Sequence, residues 1–390
     1  GYDNLPGAEA AGPAEHYAAL GEKAAADGCF PHRTEDYIVL KRLATEYDLG
    51  MAYYYLGCLL YDKRVYGEAV ADYEKAALKY PDFPTVHRNL ALAYYNVKKQ
   101  PQRAYEEMEK AFALDETDAR VYLELDQLKK RLNVPVKERW SDMEKHFDLV
   151  ESRDDLYLEY VTLLNTLGEN AKALDLIMVR KFHQWEGGEG KVAAQYLTAL
   201  YQLAKAAVAK EDYAEAKELL LRAVDEYPHN LGEGKLESAQ ENNLYYLLGL
   251  VQEKLGETEE AFVNLTKACY GESEPVGMMY YNDQPPEMIY YQGLAYRKLG
   301  DEEQAVQRFC KLVDYGKEHI GDEIKIDYFA VSLPDLLIFE EDLKERNRKH
   351  CLFMMSLGLK GLGRTDEAEK CAQQLLAMDN AHQGIRVHDL

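Results

Sequence analysis

One unit of about 34 residues, spanning positions 50–83, constrains the fold more than any other feature of the chain. Its first half places large and small apolar residues at the helical spacing i, i+3, i+4 and i+7, namely Tyr53, Leu56, Gly57 and Leu60. Its second half continues at helical spacing with Ala69, Tyr73 and Ala76, before Pro81. Small residues at Gly57 and Ala69 allow two helix axes to approach closely. The unit therefore predicts a pair of packed helices.

The same pattern returns along most of the chain. Its further copies span 85–118, 154–187, 197–230, 242–275, 286–320 and 349–380. A single helix pair cannot bury its own apolar face, so neighbouring pairs stack on one another. The sequence therefore predicts a solenoid.

This arrangement of large, small and proline positions resembles the tetratricopeptide superfamily. The resemblance implies an all-α fold, a right-handed tetratricopeptide (TPR) α-solenoid of antiparallel helix pairs. We expect one continuous solenoid with a divergent helical hairpin at 1–48 and TPR-like repeats at 49–180. Repeats with long inter-repeat loops would follow at 181–315, and a spacer with a last repeat at 316–390.

Composition limits the classes of partner. The net charge is −23, with 69 acidic against 46 basic residues, which disfavours nucleic acid and anionic membranes as partners. No apolar run reaches the roughly 18 residues of a membrane helix. The six cysteines form no CxxC pair, so we expect reduced thiols and a cytoplasmic protein. Catalytic, metal-binding and nucleotide-binding motifs are missing, so we expect no cofactor and no metal, and the sequence favours a non-enzymatic chain.

Several stretches resemble one narrower family. They include PHRTEDYIVL at 31–40, HRNLALA at 87–93, FHQWEGGEGKV at 182–192, NLGEGK at 230–235 and YFAVSLPDLL at 328–337. The family is a set of large uncharacterised bacterial proteins with an N-terminal galactose-mutarotase-like domain and a C-terminal TPR region. The resemblance implies that this chain, which starts at Gly1 without a methionine, is the C-terminal arm of a larger carbohydrate-related bacterial protein.

Three irregular loops, at 181–191, 228–241 and 270–286, each connect one repeat to the next. Such connections emerge on one edge of a solenoid, so we expect the loops to be neighbours. They would gather aromatic and acidic side chains that suit a carbohydrate: His183, Trp185, Glu186, Glu189, Glu233, Tyr280, Tyr281, Asn282 and Asp283. The alternative is that the glycines only form turns and the acids cap helix N-termini.

A second candidate surface is the inner groove of the solenoid. Tyr54, Tyr246 and Tyr290 would face it, unless they pack on neighbouring helices instead. The first hypothesis for function is a non-enzymatic scaffold that binds a protein or peptide, including the protein's own N-terminal domain. The rival is a carbohydrate-binding or glycosidase-type site on the loop edge. A sugar-specific thermal shift would favour the rival.

Overall fold

The computed structural model describes residues 11–24, 29–185, 187–235, 239–277, 283–325 and 338–389. Two compact units divide the chain, one of residues 1–132 with 338–340 and one of residues 133–337 with 341–390. The first is called unit 1 and the second unit 2.

Unit 1 contains helices α1 to α7. Their bounds are α1 Ala11–Lys23, α2 Thr34–Glu46, α3 Gly50–Asp62, α4 Tyr66–Lys79, α5 Pro84–Asn96, α6 Pro101–Leu114 and α7 Ala119–Arg131. The α3–α4 pair is the hairpin predicted from the 34-residue unit. A Cβ atom on Gly57 would lie 2.6 Å from the Tyr73 ring, so only glycine allows this approach of the two helices. Ala69 is fully buried at the same contact.

Unit 2 contains helices α8 to α20 and a short 3-10 turn at His229–Leu231. The first five helices are α8 Val136–Lys145, α9 Phe147–Ser152, α10 Asp154–Leu167, α11 Asn170–Val179 and α12 Lys191–Ala209. The others are α13 Tyr213–Asp225, α14 Asn242–Leu255, α15 Thr258–Cys269, α16 Pro286–Lys298, α17 Glu302–His319, α18 Leu343–Gly361, α19 Thr365–Met378 and α20 Gln383–Val387. From α10 to α19 the helices pair in sequence as hairpins, which confirms the predicted all-α arrangement.

Small residues bring the paired helices of unit 2 together, as they do in unit 1. A Cβ on Gly249 of α14 would lie 2.6 Å from Leu265 of α15, and one on Gly293 of α16 would lie 2.5 Å from Phe309 of α17. The large residue on one helix therefore fills the space that the glycine on its partner leaves. This complementarity fixes the register of each hairpin.

Two further properties concern the whole described chain. No helix within the described ranges is both long enough and apolar enough to cross a membrane. All six cysteines are free thiols, and Cys269 and Cys351 are buried. Burial raises the pKa of both thiols to about 11, so they are uncharged at neutral pH.

Candidate functional site

The loops at 181–191 and 228–241 lie against each other. The Phe182 amide donates a 2.8 Å hydrogen bond to the Asn230 carbonyl. The Asn230 side chain in turn donates to the carbonyls of Ile177 and Arg180, at 2.7 and 2.9 Å. Both loops are therefore fixed to the C-terminal end of α11.

A pocket of about 330 Å³ opens where these two loops meet. Its lining residues are His183, Gln184, Trp185, Gly188, Glu189, Val192, Leu231, Gly232 and Glu233. The Trp185 ring lies directly on Gly188, because a Cβ there would be only 2.3 Å from the indole. The indole is half-buried, so part of it remains available to the pocket.

The two described acidic residues of the pocket differ in their surroundings. Glu233 accepts hydrogen bonds from the amides of Gly190, at 2.7 Å, and Ala193, at 3.4 Å. It therefore caps the N-terminus of α12, where the helix dipole also favours a negative charge. Glu189 is exposed and has no hydrogen-bond or ion-pair partner among the described residues. Of these two, only Glu189 has a carboxylate open to a ligand.

His183 is held by the first residue of α10. Its backbone amide and its ring Nδ1 both lie 2.9 Å from Oδ2 of Asp154, while Arg180 binds Oδ1 of the same carboxylate at 2.6 Å. Burial opposes the charge of Asp154, but these hydrogen bonds and the Arg180 charge outweigh it, so its pKa lies below the ordinary range. The first loop is thus anchored through Asp154, with the His183 ring on the outside.

The described residues of the third loop, 270–277 and 283–286, do not line this pocket. The Glu272 carbonyl accepts from the side chains of Gln284 and Gln292, at 2.6 and 2.9 Å, and the Val276 carbonyl lies 2.8 Å from His350. These bonds direct the loop onto α16 and α18. Asp283 was predicted to face this pocket but is not among its lining residues. Burial lowers the pKa of His350, and the negative charge of Asp283 opposes that shift. Glu186, Tyr280, Tyr281 and Asn282 lie outside the described residues.

The predicted groove tyrosines are packed against other aromatic rings. Tyr290 is 5% exposed and lies 5.8 Å from the Phe309 ring, so it is a core residue and the prediction that it lines a groove is wrong. Tyr54 and Tyr246 are half-buried, with Phe83 at 5.0 Å from the first and Tyr291 at 5.7 Å from the second. The packing alternative therefore accounts for Tyr290 and for much of the other two rings.

Sequence reasoning missed a surface of unit 1 that contacts a segment distant in the sequence. We call it the Asn96 surface, and it consists of Tyr95 and Asn96 at the end of α5, Lys99 just after it, and Arg131 at the end of α7. It holds the non-helical residues 338–340. The Asn96 amide nitrogen donates to the Ile338 carbonyl and its oxygen accepts from the Glu340 amide, both at 2.9 Å. One side chain thus pairs with the main chain on both sides of Phe339.

Phe339 is the anchor of that contact. It is 1% exposed, with the Tyr95 ring at 5.1 Å and the Arg131 guanidinium 5.5 Å from its centroid. Arg131 also donates to the Phe339 carbonyl at 3.3 Å, and Lys99 forms an ion pair with Glu340 at 2.5 Å. No local pattern pairs residues more than two hundred positions apart, so the sequence held no signal for this site.

Metal binding has no support within the described ranges. No group of three or more His, Cys, Asp or Glu side chains there could hold a metal ion.

Tetratricopeptide-repeat family models match four segments of the chain, at 54–119, 198–230, 243–270 and 287–315. Three of these segments contain a glycine that packs against a large residue of the paired helix, at Gly57, Gly249 and Gly293. The fourth, 198–230, covers the hairpin of α12 and α13. The chain therefore contains tetratricopeptide repeats, and the predicted all-α TPR solenoid fold is confirmed.

Solved structures of similar fold include three that share 16–17% identity with the chain. A crystal structure of MamA is 17% identical, with 67% of this chain and 95% of that chain covered and a TM-score of 0.19. YrrB, described as a TPR protein with an unusual peptide-binding site, is 17% identical over 63% and 97%, with a TM-score of 0.22. The TPR domain of P58(IPK) is 16% identical over 87% and 76%, with a TM-score of 0.21.

Proposed function

We propose that this chain is a non-enzymatic TPR binding scaffold whose helix hairpins hold short, non-helical segments of protein. The observation that carries the proposal is the pairing of Asn96 with the main chain on both sides of Phe339. A side-chain amide that satisfies a carbonyl and an amide of another segment binds main chain, which every protein partner possesses.

Specificity would come from the residues around that amide. A buried aromatic side chain in a fitted pocket is the usual anchor of a protein interface, and Phe339 occupies such a pocket. The charges of Lys99 and Arg131 favour an acidic residue next to the anchor, where Glu340 lies here. The Asn96 surface therefore fits a segment with the order aliphatic, phenylalanine, acid.

A peptide titration tests the proposal. The double variant Phe339→Ala, Glu340→Lys removes the chain's own anchor and reverses the charge next to it, which vacates the surface. A fluorescein-labelled peptide of residues 337–342, LIFEED, is then expected to bind this variant saturably in fluorescence anisotropy. The parent chain is expected to bind the peptide much more weakly, because its own segment competes at a high effective concentration.

Asn96→Ala in the same background supplies the decisive comparison. It is expected to weaken peptide binding about tenfold, since it removes two hydrogen bonds. Asn89→Ala, two turns earlier on α5, is the matched control and is expected to leave binding unchanged. If the folded double variant shows no saturable binding up to about 1 mM peptide, the proposed mode of binding is wrong.

The proposal also covers the larger protein to which this scaffold would belong and the compartment in which it would work. The stretches that resemble one bacterial family support a place for the chain as the C-terminal arm of a larger carbohydrate-related protein, with that protein's N-terminal domain as a partner. The six free thiols support a reducing compartment such as the cytoplasm. Gel filtration of the chain mixed with the separately produced upstream region tests the first point, and co-elution is the expected result.

The loop pocket supports a second candidate, a carbohydrate-binding site. The observation that favours it is the exposed edge of Trp185 beside the open carboxylate of Glu189, in a pocket about large enough for a sugar unit. Acid–base hydrolysis needs two available carboxyl groups, and Glu233 is already engaged as a helix cap. The described residues therefore favour binding over hydrolysis.

Intrinsic fluorescence tests this second candidate, because the chain has two tryptophans. In Trp140→Phe, Trp185 is the remaining emitter, so an oligosaccharide that binds is expected to change the emission. Glu189→Gln in this background is expected to weaken binding about tenfold without lowering the melting temperature, through loss of charge-assisted hydrogen bonds. Unchanged emission across a panel of oligosaccharides would remove the carbohydrate hypothesis.

A further inference from the structure

A second short segment of the chain lies on the first helices of the unit 2 hairpins. Residues 382–389, which include α20, contact side chains on α10, α12, α16 and α18. These four are the leading helices of their pairs. We call this surface the leading-helix face and residues 382–389 the bound segment.

The bound segment begins with an amide contact. The Gln383 side chain lies 3.1 Å from the Thr162 carbonyl, from the Thr166 hydroxyl and from Oε1 of Gln195. Gln195 also binds the side chain of Asn165, at 3.0 Å, which orients it. Helices α10 and α12 thus present a polar site for one amide side chain. Such a site discriminates strongly against a residue without an amide, because its own buried groups would lose their partners.

Apolar and aromatic contacts follow. Ile385 is 2% exposed, and the ring of His382 lies 4.9 Å from that of Phe353 on α18. Gly384 lies against the same phenylalanine, since a Cβ there would be 2.5 Å from the Phe353 ring. This part of the face therefore accepts a small residue followed by an aliphatic one.

An imidazole is the third contact. His388 is 6% exposed, and its Nδ1 lies 3.0 Å from the Tyr291 hydroxyl, which is 2.8 Å from the Tyr201 hydroxyl. Burial lowers the pKa of His388 to about 3, and the nearby charges of Lys205 and Lys360 act in the same direction. The imidazole is therefore neutral when bound.

Two lysines hold the end of the segment. Lys205 on α12 donates to the Val387 carbonyl at 2.8 Å and to the Asp389 carboxylate at 2.6 Å. Lys360 on α18 donates to the His388 carbonyl at 3.2 Å and to that of Asp389. Two cations from different helices thus converge on one acidic residue and its main chain, as in a site for a negatively charged peptide group.

We infer that the chain's own residues 382–389 are a self-ligand on the leading-helix face of unit 2, held there by the Gln383, Ile385, His388 and Asp389 contacts. Its partner would be a segment of another protein with the same chemistry: an amide residue, a small and an aliphatic residue, a buried imidazole and an acid. The inference rests on the proposed scaffold function, and it adds a second groove that is regulated by competition. A partner must displace the bound segment, whose tether gives it a high effective concentration.

Release of the bound segment in the full chain provides the test. The variant Ile385→Glu places a charge where Ile385 is buried and is expected to free the segment. A fluorescein-labelled peptide of residues 381–389, AHQGIRVHD, is expected to bind this variant saturably and the parent chain at least about tenfold more weakly. The same peptide with glutamate at the Ile385 position is expected not to bind.

Lysine variants locate the bound peptide. In the Ile385→Glu background, Lys205→Ala or Lys360→Ala is expected to weaken peptide binding about tenfold or more, through loss of charge-assisted hydrogen bonds. Lys254→Ala is the matched control, because Lys254 is exposed on another leading helix, α14, and is expected to leave binding unchanged.

A milder variant separates a groove from a structural element. Gln383→Ala with Asp389→Asn removes polar contacts and leaves Ile385 in place. If neither variant binds the peptide, whether it loses its helical circular dichroism or stays folded, the segment is part of the fold and the inference is wrong. The LIFEED peptide tests the Asn96 surface of unit 1, and the AHQGIRVHD peptide tests the leading-helix face of unit 2. If the first binds and the second does not, the scaffold proposal stands and only the inference about the leading-helix face is wrong.

Discussion

Gly358→Leu is expected to be the most destabilising single change in unit 2. A Cβ on Gly358 of α18 would lie 2.5 Å from the carbonyl oxygen of Phe309 on α17 and 2.7 Å from the Val313 side chain. A backbone oxygen cannot move aside as a side chain can, so the two helices must separate. Overpacking of this kind costs roughly 3 kcal/mol or more. Thermal melts followed by circular dichroism should therefore show a large fall in the melting temperature.

Leucine substitutions at two other glycines provide comparisons for the loss of stability expected in Gly358→Leu. Gly249→Leu meets the flexible side chain of Leu265 at 2.6 Å, so its cost is expected to be smaller, roughly 1–3 kcal/mol. Gly67→Leu on α4 is the control, because nothing lies within 4 Å of its Cβ, and replacement of an exposed helical glycine is neutral or stabilising. Equal melting temperatures for the three variants would contradict the helix register described here.

Arg88→Met is expected to destabilise unit 1 by a comparable amount. Arg88 on α5 binds both carboxylate oxygens of Glu124 on α7, each at 2.6 Å, and the Glu124 side chain is 2% exposed. The substitution leaves that buried carboxylate with Arg120, whose Nε is 3.2 Å away, as its remaining cation partner among the described residues. Loss of one member of a buried ion pair costs about 3–5 kcal/mol, which urea denaturation would measure.

The double variant Arg88→Met, Glu124→Leu is the internal control for this prediction. It removes both charges and replaces them with apolar groups of similar size, so its stability is expected to lie near that of the parent. If the double variant is as unstable as Arg88→Met, lost packing and not an unpaired charge is the cause. In that case our account of the α5–α7 contact is wrong.

Much of the fold follows from the sequence because its cause is local and repeated. The small residues Gly57 and Ala69 recur at corresponding positions, and each needs a large partner such as Tyr73 one helix later. A repeat of about 34 residues makes this contact visible several times, so even imperfect copies reinforce one another. The helix pairs were predictable for that reason.

The loop pocket was predictable in part. Loops that join successive repeats emerge on the same edge, and this reasoning brought Trp185, Glu189 and Glu233 to one place, where they line a single pocket. It did not assign Glu233 to the N-terminus of α12, nor did it exclude Asp283. Both depend on individual hydrogen bonds, at Gly190 and at Glu272, that no periodic pattern encodes.

The sequence alone did not predict that residues 338–340 and residues 382–389 lie on helix surfaces. Asn96 meets residues 338–340, and Lys205 meets Asp389, across long separations in the chain. Such contacts depend on the packed helices that present the side chains. Tyr290 was misplaced for a related reason, because helical spacing cannot distinguish a face that lines a groove from one that packs on Phe309.

Hydrogen exchange at the Glu340 amide tests the scaffold proposal most directly. This amide donates to Asn96 Oδ1 at 2.9 Å, so the account predicts that it exchanges slowly in the parent chain. In Asn96→Ala it should exchange as fast as an open amide, while Asn89→Ala should keep it protected. Fast exchange at Glu340 in the parent, or equal protection in Asn96→Ala, would contradict the claim that these repeats bind the main chain of a protein segment.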